Sequence, residues 1–116
     1  MELKLLVLRT GNPEHLAGFY RLLGLSFDYH KHGNSPYHYS TTLGKTVLEI
    51  YPLSKNQPEA DKNLRLGFEI DDFENTIESL KAAQVAVSDP IQTDFGYLFI
   101  VTDPDGRKIE LYKSKE

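Results

Sequence analysis

At 116 residues, 40% apolar and 26% charged, the chain reads as one soluble globular domain able to bury a working core. A formal charge of −4 argues against nucleic acid and anionic membrane as partners, since both call for a clustered basic face. The absence of cysteine excludes disulfides, thiolate nucleophiles and sulfur-ligated metals.

The opening apolar run is interrupted by Lys4 and stopped by Arg9. It is too short for a membrane span and lacks a signal-peptide cleavage pattern, so a cytoplasmic protein is expected. Residues 3–9 read instead as a buried strand. Thr10-Gly11-Asn12-Pro13 then offers a turn, a capping Asn12 and a proline at the first helical position. The helix that follows should bury Leu16, Phe19, Tyr20 and Leu23 and end at Gly24. Three strands are expected next, at residues 25–30, 37–43 and 46–53. Gly33-Asn34-Ser35-Pro36 separates the first two, and Gly44-Lys45 the second two.

Residues 54–63 are polar and aperiodic, and read as a linker. The pattern then restarts. A strand at residues 64–70 leads to a capping box from Asp71 to Glu74. The helix it opens has Phe73, Ile77, Leu80 and Ala83 along one face. Strands at residues 85–87, 95–102 and 107–113 complete the chain, the last two joined by Asp103-Pro104-Asp105-Gly106. The order is thus β-α-β-β-β twice, offset by about sixty residues. The expected architecture is α+β within a single domain, residues 1–116, with modules at about 1–53 and 64–116. One module cannot easily cover both faces of its sheet, so the two should pair.

This plan resembles the vicinal oxygen chelate superfamily, also called the glyoxalase/bleomycin-resistance/dioxygenase superfamily. The most specific piece is Asp103-Pro104-Asp105-Gly106-Arg107-Lys108-Ile109-Glu110-Leu111, which resembles the closing hairpin of that family. Leu8-Arg9-Thr10-Gly11-Asn12, Phe19-Tyr20 and Leu23-Gly24-Leu25 resemble its opening strand and helix. Val47-Leu48-Glu49-Ile50 and Leu66-Gly67-Phe68-Glu69-Ile70-Asp71 are weaker pieces in the right order. The resemblance implies a curved mixed sheet around a cup-shaped pocket, and a homodimer.

It also implies a comparison of ligand sets. Metal-dependent members hold one divalent ion with a histidine on the first strand, a glutamate on the fourth, a histidine opening the second module and a glutamate on the last strand. Here Glu49 and Glu110 match, but the histidine positions fall on Leu5 and Arg65. Leu5 has no donor, and Arg65 is a cation that would repel the ion. No stoichiometric metal is therefore expected, the alternative being zinc or nickel held by Glu49, Glu110 and an unorthodox third ligand.

Two carboxylates converging in a cup repel one another, so Arg65, together with Arg9, is expected to take the place of the ion. A plain ion-pair network closing the sheet is the alternative. If the pair is buried, removing Arg65 should cost roughly 3–5 kcal/mol, and less where water reaches it. A two-residue turn at Gly44-Lys45 sets Ser40 opposite Glu49 and His38 opposite Tyr51, which turns His38 toward the pocket as a candidate base or as a rescue metal ligand with Glu49 and Glu110. His30 and His32 read as surface or loop-edge histidines. A four-residue loop from Asp103 to Gly106 sets Phe99 opposite Glu110 and Tyr97 opposite Tyr112.

The expected ligand-binding set is Arg9, Glu49, Tyr51, Arg65, Phe99, Glu110 and Tyr112, with His38 and Glu110 as candidate catalytic groups. The reading favoured by the missing histidines is a metal-free small-molecule binding protein resembling the bleomycin-resistance branch. Two alternatives stand beside it. One is an enzyme resembling lactoylglutathione lyase with an atypical divalent metal, and the other a metal-free enzyme of the same fold.

Overall fold

The computed structural model describes residues 1–115. One compact unit comprises Met1–Arg21 and Leu25–Asp61, and a second comprises Leu22–Gly24 and the chain from Lys62. The first unit contains β1 (Leu5–Thr10), α1 (Pro13–Arg21), β2 (Asp28–His30), β3 (His38–Leu43) and β4 (Thr46–Pro52). The second contains β5 (Leu66–Ile70), α2 (Phe73–Ala82), β6 (Ile91–Thr93), β7 (Gly96–Thr102) and β8 (Lys108–Lys113). Each unit has a four-stranded mixed sheet, ordered β1-β4-β3-β2 in one and β5-β8-β7-β6 in the other. The α+β class and the twofold β-α-β-β-β order expected from the sequence are what the structure shows. No helix among the described residues is long and apolar enough to cross a membrane.

In the first unit the Asn12 side chain accepts from the His15 amide at 3.1 Å and caps α1. Gly24 follows the helix at φ +102°, a conformation that an L side chain would strain. β1 runs parallel to β4, with Val7 beside Glu49 and Arg9 beside Tyr51. The period of two then divides the sheet. Leu8, Leu48 and Ile50 are buried on the face that packs α1, together with Leu16, Ala17 and Tyr20. Val7, Arg9, Glu49 and Tyr51 share the other face. The Gly44-Lys45 turn is a two-residue hairpin that pairs Leu43 with Thr46 and Ser40 with Glu49, as the turn chemistry predicts.

The second unit departs from the sequence reading in three places. Asp72 rather than Asp71 caps α2, its carboxylate accepting from the Asn75 amide at 3.3 Å. Residues 85–87 form no strand, and the sixth strand is Ile91–Thr93. The end of α2 explains this: Gln84 takes φ +63° and the Val85 amide donates back to the Leu80 carbonyl at 2.9 Å. Beyond it, Ser88 tethers the segment to β7 through bonds with Ile100 rather than through a ladder.

The third departure matters most for the site. The β7–β8 connection has five residues, because β8 pairs Lys108 with Thr102. Asp103 Oδ1 accepts from the amides of both Asp105 and Arg107, which draws Arg107 into the loop. The extra residue shifts the register by one, and a shift of one exchanges the faces of a strand. Phe99 therefore lies opposite Leu111, and Ile100 opposite Glu110. Phe99 is fully buried, its ring 5.1 Å from Phe73 of α2 in an edge-on contact. Tyr97 falls on the same side, opposite Gln92 and 5.4 Å from Phe73. Leu98, Glu110 and Tyr112 occupy the other face, where Leu98 opposes Tyr112.

Candidate functional site

On the second unit, Glu110 is the centre of a short polar chain. Arg65 Nη2 donates to Glu110 Oε2 at 2.9 Å, and the Tyr112 hydroxyl donates to Oε1 at 2.8 Å. Both carboxylate oxygens are thus engaged. Because Glu110 accepts the phenolic proton, the Tyr112 hydroxyl titrates above its ordinary value and stays a phenol at neutral pH. The ring has space because two glycines flank it. A Cβ at Gly67 would stand 3.4 Å from one ring carbon of Tyr112, and one at Gly96 would stand 3.3 Å from another.

Around this chain lies a depression of about 540 Å³ lined by Arg65, Leu98, Glu110, Tyr112 and the turn Thr93, Asp94 and Phe95. Thr93 builds that turn, its hydroxyl donating to the Gly96 carbonyl and accepting from the Phe95 amide. Phe95 is left 85% exposed at the rim. The depression is open, and its volume lies in the range of small-molecule clefts. Arg65, Glu110 and Tyr112 belong to the sequence-derived set. Thr93, Asp94 and Phe95 do not, because the turn that carries them depended on a strand expected elsewhere, and Leu98 does not, because the register shift between β7 and β8 exchanges it with Phe99.

Arg65 was expected to offset both Glu49 and Glu110 in a partly dry cup. The structure corrects this, because its side chain is 68% exposed and that of Glu110 26%. An ion pair this wet contributes little to stability. Arg65→Ala is expected to change the unfolding free energy by less than about 1 kcal/mol in denaturant titration.

The other predicted residues gather on the first unit. Arg9 Nη1 donates to the Pro52 carbonyl at 3.1 Å, and its guanidinium lies 5.0 Å from the centre of the Tyr51 ring. Tyr51 in turn stacks on His38, with ring centres 4.2 Å apart and planes within 10°. His38 faces Glu49, Nε2 to Oε2 being 3.3 Å, though the approach is not aligned as a hydrogen bond. The His38 side chain is fully buried. A general base needs a path to its substrate, and burial of this degree gives His38 none. Glu110, held at both oxygens, is no better placed for that role. His30 pairs with His38 across the β2–β3 ladder, and His32 lies close to both. The sequence reading treated His30 and His32 as separate surface groups and missed this convergence. Its signal was the placing of three histidines about a Gly-Asn-Ser-Pro turn.

The ligand set by which the superfamily holds its metal does not fit these residues. Leu5 is 51% exposed and carries no donor, and the guanidinium of Arg65 sits on Glu110 where an ion would need the carboxylate.

Residues 2–111 match the model of the Glyoxalase/Bleomycin resistance protein/Dioxygenase superfamily. Among solved structures, TnmS3, an antibiotic binding protein from Streptomyces sp. CB03234, matches at TM-score 0.79 and 23% identity, over 99% of this chain and 97% of that one. A glyoxalase/bleomycin resistance protein from the same source matches at 0.74 and 23%, over 96% and 99%. A lactoylglutathione lyase from Agrobacterium tumefaciens matches at 0.70 and 17%, over 97% and 93%. At these identities the likeness is one of fold. No curated protein matches the chain.

Proposed function

The chain belongs to the glyoxalase/bleomycin resistance protein/dioxygenase superfamily, and we propose that within it the protein binds small organic molecules without transforming them. One observation carries this reading. The glutamate that metal-dependent members would use is neutralised by Arg65 and Tyr112 at the floor of an open depression. Such a floor offers donors and an acceptor but no free base. Leu98, Phe95 and the Tyr112 ring supply the apolar wall, so a ring-bearing molecule with a polar or anionic group directed at Arg65 is the chemistry that fits. The likeness to an antibiotic binding protein supports the same class of ligand. We propose a homodimer, as the resemblance to short members of the superfamily implies.

Calorimetric titration of the purified dimer with bleomycin and a panel of aromatic antibiotics tests the proposal. One compound is expected to bind with one equivalent per chain at micromolar affinity or better, and to be recovered chemically unchanged. Conversion of the bound compound, or formation of lactoylglutathione by the protein, would replace this reading with an enzymatic one.

A further inference from the structure

We propose that His30, His32, His38 and Glu49 form a binding site for one divalent transition-metal ion, with zinc the ion its donors suit best. The site uses none of the residues of the depression around Glu110, and it lies outside the ligand set of the superfamily except for Glu49. It goes beyond the binding function proposed above and does not depend on it.

The sequence builds the cluster locally. Cross-strand pairing sets His30 of β2 beside His38 of β3, and the β3–β4 hairpin brings Glu49 alongside. His32 is held by the turn between β2 and β3. Its amide donates to Ser35 Oγ at 2.8 Å, and its carbonyl accepts from the Ser35 amide at 2.8 Å. Gly33 supplies the left-handed residue of that turn, at φ +53°. The result is one donor atom from each of the four residues, all within 4.8 Å of one another.

The hydrogen bonding leaves these donors free for an ion. A carbonyl can only accept, so the 3.0 Å contact between His38 Nδ1 and the Pro36 carbonyl puts the ring hydrogen on Nδ1 and the lone pair on Nε2. Metal-bound imidazoles are oriented in this way, by a backbone acceptor behind the ring. Nε2 of His38 and Nε2 of His30 are both buried without a hydrogen-bond partner, which is uncommon for polar atoms inside a protein. A single proton shared with Glu49 could serve one of these nitrogens at most, whereas an ion serves them all.

The spacing is also suitable. In tetrahedral zinc sites the nitrogen and oxygen donors stand roughly 3.3 Å apart. His38 Nε2 and Glu49 Oε2 already have that separation at 3.3 Å. The widest donor separation, up to 4.8 Å, has to close by about 1.5 Å to reach that spacing. His32 is exposed, so an ion can enter from solvent. Three borderline imidazoles with one hard carboxylate suit zinc, and four protein ligands fill a tetrahedral ion completely. The ion would therefore fasten the three-residue β2 and its turn to β3 and β4, and would not activate a substrate.

The test is calorimetric titration of the chelator-stripped full chain with zinc, and with cobalt as a visible probe of four-coordinate geometry. One equivalent per chain is expected at micromolar affinity or tighter, and cobalt should give the intense visible bands of a tetrahedral site. His38 is too buried for its loss to be read safely, so the variants are His30→Gln, His32→Gln and Glu49→Gln, each checked for its fold. Each should weaken zinc on the order of a hundredfold. His15→Gln, which alters the one remaining histidine, should leave zinc affinity unchanged. Failure of the native chain to take up stoichiometric zinc would overturn the proposal. So would zinc affinity that survives His32→Gln intact but falls in Glu110→Gln, since the ion would then sit elsewhere. The first outcome leaves the binding of an organic ligand at the second unit untouched, whereas the second would count against that reading as well, because Glu110 lines the depression.

Discussion

Replacing Arg107 with alanine is expected to lower the unfolding free energy by about 3–5 kcal/mol, the usual cost of removing one partner from a buried ion pair. Arg107 is 1% exposed, and its Nη1 lies 3.1 Å from Asp103 Oδ2 and 2.9 Å from Asp105 Oδ2. The Asp103 side chain is itself fully buried. Without the guanidinium, that carboxylate stays out of water and loses this charged partner. The same network sets the length of the β7–β8 loop, so the damage should extend to the strand register. Arg107→Lys keeps the charge but loses the planar fork that reaches both aspartates, and should fall between alanine and the native protein. Chemical denaturation of the three proteins measures the effect. A loss for Arg107→Ala within about 0.5 kcal/mol, as for a surface change, would show that the arginine is not buried in the loop.

Phe99→Ala should be of similar size, about 3–5 kcal/mol, because it empties a fully buried ring site against α2. The milder Phe99→Leu keeps most of the packing, and should leave the affinity for an organic ligand unchanged. Thermal or denaturant unfolding together with ligand titration checks both parts. A loss of ligand affinity in folded Phe99→Leu would return Phe99 to the ligand face and show the β7–β8 register to be wrong.

The comparison between Phe99 and His38 shows how much of this molecule could be read from residues alone. Both positions were inferred from a turn length and the two-residue period of strands. Gly44-Lys45 forms the tight hairpin that its glycine favours, and Ser40 does lie opposite Glu49. The turn at Asp103 looks equally regular by its Pro-Asp-Gly sequence, yet the structure adds a residue to it. The cause is a long-range preference that no local turn rule contains, namely that Arg107 is worth more folded back onto two aspartates than projecting from a strand. A one-residue error then sends Phe99 and Tyr97 to the opposite face while leaving every strand in place.

The same contrast holds for the wider site. The β-α-β-β-β order, the caps near Asn12 and Asp72 and the pairing of Arg65 with Glu110 followed from pattern and charge. Burial did not follow, and it is burial that makes the Arg65 pair weak and the His38 ring inaccessible. The sixth strand was misplaced because residues 85–87 have an apolar rhythm, although their backbone is taken up by the end of α2 and by Ser88. With that strand went the turn that carries Phe95, and so the rim of the depression. The histidine cluster needed three residues to be considered together across a turn, whereas His30 and His32 each read as ordinary surface and only His38 as a site residue.

The central claim is that Arg65 and its neighbours serve a ligand and not the fold, and titration of the bound antibiotic into Arg65→Ala tests it most directly. A hydrogen bond to a charged group is worth roughly 1.5–3 kcal/mol, so affinity should fall by about tenfold or more while stability barely changes. Unchanged affinity in Arg65→Ala, or a large loss of stability without any loss of binding, would contradict the claim and make the pair with Glu110 a structural contact.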